Sequence, residues 1–135
     1  MNSSEYGAFN FTSISEYRLG KVLGQGAYAV VKEGVHKSLG SSLAVKIYDK
    51  YKLTDAQRKR SVIREIKILK KMEHDNVVKL YDAIDTQRQI YLVMENVEGV
   101  SIQQFLKTMP GRRVSEEEAA HIFKQIMSAM NYIHE

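Results

Sequence analysis

Three features of this chain have residue types and spacing that could act together on an anion. The stretch Leu23-Gly24-Gln25-Gly26-Ala27-Tyr28-Ala29-Val30-Val31 sets two glycines one residue apart between apolar, β-branched runs. That is the pattern of a strand, a tight turn and a returning strand. Glycine at such a turn can take positive φ and leaves room for a ligand to approach the backbone N–H groups. Those groups can face a phosphate, and Lys46 in Ala44-Val45-Lys46 can reach the same phosphate as a point charge. By itself the glycine pair is a weak signal, more often an ordinary hairpin turn. Glu65 raises its meaning: it lies nineteen positions after Lys46, in the helical stretch Arg64-Glu65-Ile66-Lys67-Ile68-Leu69-Lys70-Lys71-Met72. A carboxylate there can hold the ammonium in place.

Positioning these residues takes several elements. Tyr17 to Leu23 and Val30 to His36 read as a hairpin around the glycines, and Leu43 to Tyr48 as a third strand carrying Lys46. Thr54 or Asp55 caps a helix running to about Met72, with Val62, Ile63, Ile66, Leu69 and Met72 on its buried side. His74-Asp75-Asn76 breaks it, and Val77 to Ile84 and Gln89 to Glu95 read as two more strands. A connector at 96–100 and a short helix near 101–107 follow. Ser115 and Glu118 then form a capping box, opening a last helix expected to bury Ala119, Ile122, Phe123, Ile126, Met127, Met130 and Ile133 within the complete fold. Residues 1–14, rich in Ser and Asn, read as a flexible extension with Phe9 and Phe11 as candidate anchors.

Composition narrows the function classes. With 135 residues, 44% hydrophobic and 27% charged, the chain fits one globular domain and contains no apolar run long enough for a membrane span. Its first residues lack the basic and apolar regions of a secretory signal. The absence of cysteine excludes disulfides and Cys-based metal sites, which fits an intracellular, cytoplasmic setting. The net charge of +4 is concentrated around one helix (Lys50, Lys52, Arg58, Lys59, Arg60, Arg64, Lys67, Lys70, Lys71), as on a solvated face. No pattern of stacking aromatics accompanies it, so a nucleic-acid partner is not expected.

From Tyr17 to Glu135 these motifs, in this order, resemble the N-terminal lobe of the eukaryotic protein kinase family, serine/threonine type. The segment from Arg64 to Tyr81 looks most like the calcium/calmodulin-dependent and AMP-activated groups. The resemblance implies an α+β fold: a small lobe over 15–95, with a five-stranded antiparallel sheet and one long helix, then a hinge and the first two helices of an incomplete large lobe over 96–135. ATP is the implied cofactor. In the family's glycine loop G-x-G-x-x-G-x-V, Gly24, Gly26 and Val31 match, while Ala29 stands at the third glycine. Gln25, Ala27 and Tyr28 complete the loop.

Further roles are implied residue by residue. Val31 and Ala44 would sandwich adenine with Leu23 at the pocket edge, and Met94 would guard its back. Glu95 and Val97 would offer backbone groups, and Ser101 stands where many kinases have an acidic residue for the ribose. Lys46 would hold the α- and β-phosphates, with Glu65 as its partner. Leu69 and Leu80 resemble the small-lobe members of the hydrophobic column of an active kinase. His74 resembles the His of the family's H-x-N segment, a turn residue and not a metal ligand. Tyr28 stands where some cell-cycle kinases carry an inhibitory phosphotyrosine.

The H-R-D loop, the D-F-G metal site and the activation segment do not occur in these 135 residues. The resemblance therefore implies an ATP-binding part with no catalytic base, no metal ligands, Mg²⁺ only with the large lobe, and no phosphotransferase activity of its own. A protein substrate would likewise need that lobe. The alternative is a non-catalytic binding module acting through the small lobe, or through a last helix whose Ile122/Ile126/Met130/Ile133 stripe is left uncovered.

Overall fold

A computed structural model describes residues 13–135; Phe9 and Phe11 lie outside the described residues. The strands are β1 (Tyr17–Gln25), β2 (Ala29–His36), β3 (Ser42–Asp49), β4 (Leu80–Asp85) and β5 (Gln89–Glu95). The helices are α1 (Ala56–Lys71), α2 (Ile102–Thr108) and α3 (Glu116–His134). The chain divides into two compact units, 13–72 with 79–96, and 73–78 with 97–135.

The first unit is a five-stranded antiparallel sheet ordered β1-β2-β3-β5-β4, with α1 inserted after the third strand. The α+β architecture read from the sequence is thus the one found. β3 sits at the centre, and its side chains alternate between two apolar clusters, as a period of two requires. Leu43, Val45 and Ile47 join Ile84 and Val93 on one face, where Ile14 and Tyr17 also pack. Tyr48 joins Leu53, Val62, Ile66, Ala83, Ile90 and Leu92 on the face that carries α1. Each fully buried Leu or Ile here contributes about 1.5–3 kcal/mol. Asp55 is the helix cap, its carboxylate accepting from the Arg58 amide at 2.8 Å.

β4 starts at Leu80, three residues later than the expected Val77, because the chain is still turning. Val77 N donates to His74 O, and His74 Nδ1 accepts from Asn76 N. Within the second unit, this turn is tied to α3. His74 Nε2 lies 3.0 Å from Ser128 Oγ, the His74 ring lies against Tyr132, and the Tyr132 hydroxyl accepts from Glu73 N. The capping box at Ser115 and Glu118 forms as expected. No α3 residue is buried, and Phe123, Ile126, Met127, Met130 and Ile133 are all exposed, which departs from the expected core face but agrees with the expected uncovered stripe at Ile126, Met130 and Ile133. Ile122, Ala129 and Tyr132 are half-buried. An apolar helix face is buried only where other elements cover it, and the 73–78 turn and α2 are too small to do so.

One glycine has a packing reason that can be tested. A Cβ at buried Gly34 would stand 2.7 Å from Val45 Cγ2, whereas one at Gly24 would meet nothing within 4 Å. Gly34→Ala should therefore cost about 1–3 kcal/mol by overpacking, and Gly24→Ala about 0.5 kcal/mol or less. Urea unfolding of both variants checks this, and equal losses would contradict the packing described.

Candidate functional site

The glycine hairpin closes through Gly26 N, which donates to Ala29 O at 2.8 Å. Neither Gly24 nor Gly26 takes positive φ, in contrast to Gly40, Gly99 and Gly111. Space, not left-handed backbone, is what Gly24 supplies. Register places Gly24 opposite Val31, Val31 opposite Lys46, and Ala44 opposite Met94. Directly opposed residues point to one face, so Gly24 leaves a missing side chain on the face that bears Val31, Ala44, Lys46 and Met94. Ala44 is 8% exposed, Val31 and Met94 are half-buried, and Leu23 is exposed. Ala29, at the third glycine position of the loop, uses its methyl group: it packs against the cluster beneath α1.

Gln25 pairs with Val30 at the end of β1, and Ala27 and Tyr28 form the exposed tip. The Tyr28 ring is met by Arg58 of α1, whose guanidinium lies 4.4 Å from the ring centroid and also pairs with Asp55. Such a cation–π contact contributes about 0.5–1 kcal/mol at exposed sites.

Lys46 and Glu65 meet. Lys46 Nζ donates to Glu65 Oε1 at 2.8 Å, each side chain being roughly one-third exposed or less. The geometry follows from two periodicities: β3 turns Lys46 to the α1 face, and Glu65 precedes buried Ile66 on the helix side that faces the sheet. Burial would lower the Lys46 pKa, but its bonds to Glu65 and Tyr48 outweigh that and raise it. Sequence reasoning missed Tyr48. It lies two positions after Lys46 on the same face and donates its hydroxyl to Glu65 Oε2; strand alternation was the available signal. Leu53, 1% exposed in the same cluster, was missed too.

Glu95 N donates to Lys79 O, and the Glu95 carboxylate accepts from Lys79 N. Leu69 and Leu80 both pack on the α1-side cluster. In the second unit, Val97 is an exposed connector residue, and Ser101 caps α2 in a capping box with Gln104. Among the described residues, no three His, Cys, Asp or Glu side chains cluster as metal ligands would, and no helix is long and apolar enough to cross a membrane.

A five-stranded antiparallel sheet with one long helix inserted after its third strand, the strand lysine paired with the helix glutamate, is the class of fold found here. The chain belongs to the protein kinase domain family, whose model matches residues 17–135. It is 35% identical over 119 residues to a probable myosin light chain kinase of Dictyostelium discoideum, covering 88% of this chain and 30% of the relative. It is 36% identical over 121 residues to an SNF1-related protein kinase catalytic subunit alpha of Arabidopsis thaliana, covering 90% of this chain and 24% of the relative. The chain thus spans about a quarter to a third of these relatives' lengths.

Protonation on both faces of the sheet has a measurable consequence. Burial raises the pKa of Tyr17, Tyr48 and Tyr91, with Asp82 and Glu16, Glu65, and Asp49 respectively adding to it, and Lys46 is also raised. The folded chain then holds these protons more tightly than the unfolded chain does. The resulting stability is fully present below about pH 10 and is lost as pH rises through the folded-state values. A melting temperature followed from about pH 8 to 12 should start to fall near pH 10, and a flat profile would contradict it.

Proposed function

We propose that this chain is the ATP-binding part of a serine/threonine protein kinase. The observation that carries the reading is the Lys46–Glu65 pair at 2.8 Å beneath the glycine hairpin. Held in place by Glu65, the Lys46 ammonium keeps N–H donors for phosphate oxygens. Among the described residues the amides of Ala27 and Tyr28 meet no acceptor, and they add backbone donors at the hairpin tip, while the Gly26 amide donates to Ala29. The space left by Gly24 suits a ligand lying on the face of Val31 and Ala44, with Leu23 at its edge and Met94 behind. Glu95 offers its carbonyl, since its amide is committed to Lys79. Within the second unit the Ser101 hydroxyl is engaged in the α2 cap.

When bound, ATP supplies the phosphoryl group that the family transfers to a protein hydroxyl. These residues orient its phosphates, and the catalytic base, the Mg²⁺ ligands and the protein-substrate site would come from large-lobe motifs not found in this sequence. Turnover by this chain should be at background. A second reading, a non-catalytic binding module, is favoured by the exposed apolar side chains of α3. A monodisperse, partner-free monomer by light scattering would count against it.

Titration with a fluorescent ATP analogue tests the first reading. Lys46→Met should weaken binding by about tenfold or more, equivalent to about 1.4 kcal/mol. Equal binding by both forms, or phosphotransfer that Lys46→Met abolishes, would contradict the account.

A further inference from the structure

We propose that Tyr48 is a positioning residue, whose hydroxyl fixes the Glu65 carboxylate so that its other oxygen stays on Lys46. The inference rests on the reading of Lys46 as the phosphate lysine, but its geometry stands alone. A glutamate on a helix surface has three rotatable bonds and two equivalent oxygens, so a single ammonium contact leaves the carboxylate free to swing. Here both oxygens are held. Lys46 Nζ donates to Oε1, and Tyr48 Oη donates to Oε2.

The Tyr48 ring cannot follow a moving carboxylate. It is 6% exposed and locked among Leu53, Val62, Ile66 and Leu92. Its hydroxyl therefore presents a fixed donor, and partial burial of that hydroxyl makes an unpaired state unfavourable. The same ring lies 5.1 Å from Lys46 Nζ, so it also borders the ammonium. The three side chains form one unit: β3 supplies the cation and the neutral donor two positions apart, and α1 supplies the acceptor between them. For α1 to carry Glu65 away from Lys46, a buried hydroxyl must lose its partner as well. The bond from Tyr48 thus biases the helix toward the arrangement in which the pair is made.

The test is the reactivity of the Lys46 amine, read by site-resolved mass spectrometry after brief acylation near pH 9. Only the neutral amine reacts, so loosening the ammonium from Glu65 raises the rate. Tyr48→Phe keeps the ring and should raise Lys46 labelling roughly three- to tenfold relative to the other lysines, about half to one unit in pKa. Glu65→Gln should do at least as much, and the double variant should add little beyond Glu65→Gln, because Tyr48 acts through Glu65. Unchanged labelling in Tyr48→Phe overturns the proposal. So does an additive double variant, which would mean that the Tyr48 hydroxyl acts on Lys46 directly and not through Glu65.

Should the Phe form not fold, the wild-type chain gives the answer by NMR. A Tyr48 hydroxyl proton in slow exchange, quickened by Glu65→Gln, supports the bond, and exchange as fast as that of exposed Tyr51 overturns it. A parallel arm adds ATP. Failure of ATP to protect Lys46 in any form counts against the proposed function, whereas the Tyr48 effect is read without nucleotide.

Discussion

The fold depends on one requirement: a partly buried ammonium must be neutralised by a carboxylate from another element. Lys46 points from the central strand toward the helix, where burial disfavours its charge. Glu65 compensates, and in doing so it fixes which side of α1 faces the sheet and where along β3 the helix sits. Leaving either partner alone in that position would leave a partly buried charge without its counter-ion. The apolar contacts of Val62 and Ile66 supply most of the binding of α1 to the sheet, yet such contacts tolerate sliding and repacking. The ion pair supplies the register.

The same arrangement explains the choice of residues around it. β3 must carry apolar side chains on both faces because the sheet is covered on both, so a charged residue is admitted there only where a partner awaits it. Tyr48 then serves two ends with one side chain, core volume from the ring and a donor from the hydroxyl. At the hairpin, the glycines keep side chains off the face opposite Lys46, while Ala29, one strand residue further, is large enough to pack and small enough not to project.

Much of this was legible in the sequence because it rests on periodicity. Alternation in β3 and a helical stripe through Val62, Ile66 and Leu69 set the two faces, and the nineteen-residue separation then brought Lys46 to Glu65. What escaped was whatever depended on three-dimensional context. The glycines were read for positive φ as well as for space, and the hairpin needed only space, since a tight turn and an open face both select glycine. Val77 and Val78 read as strand by β-branching, but backbone bonds to His74 hold the turn longer. Tyr48 was legible only as the end of a strand, because a hydroxyl's partner lies on another element and leaves no local trace. The apolar pattern of α3 was visible, but its cover was not, for periodicity reports an apolar face without saying what lies over it.

The central claim is that Lys46 and Glu65 act as a pair that joins sheet and helix. A double-mutant cycle of Lys46→Met and Glu65→Gln, followed by urea unfolding of the four chains, measures it most directly. The account predicts a coupling energy of about 0.5–3 kcal/mol, with each single change destabilising and the second change costing less once the first is made. Strictly additive losses would mean that the two side chains are independent, and the account of how α1 is held to the sheet would fail.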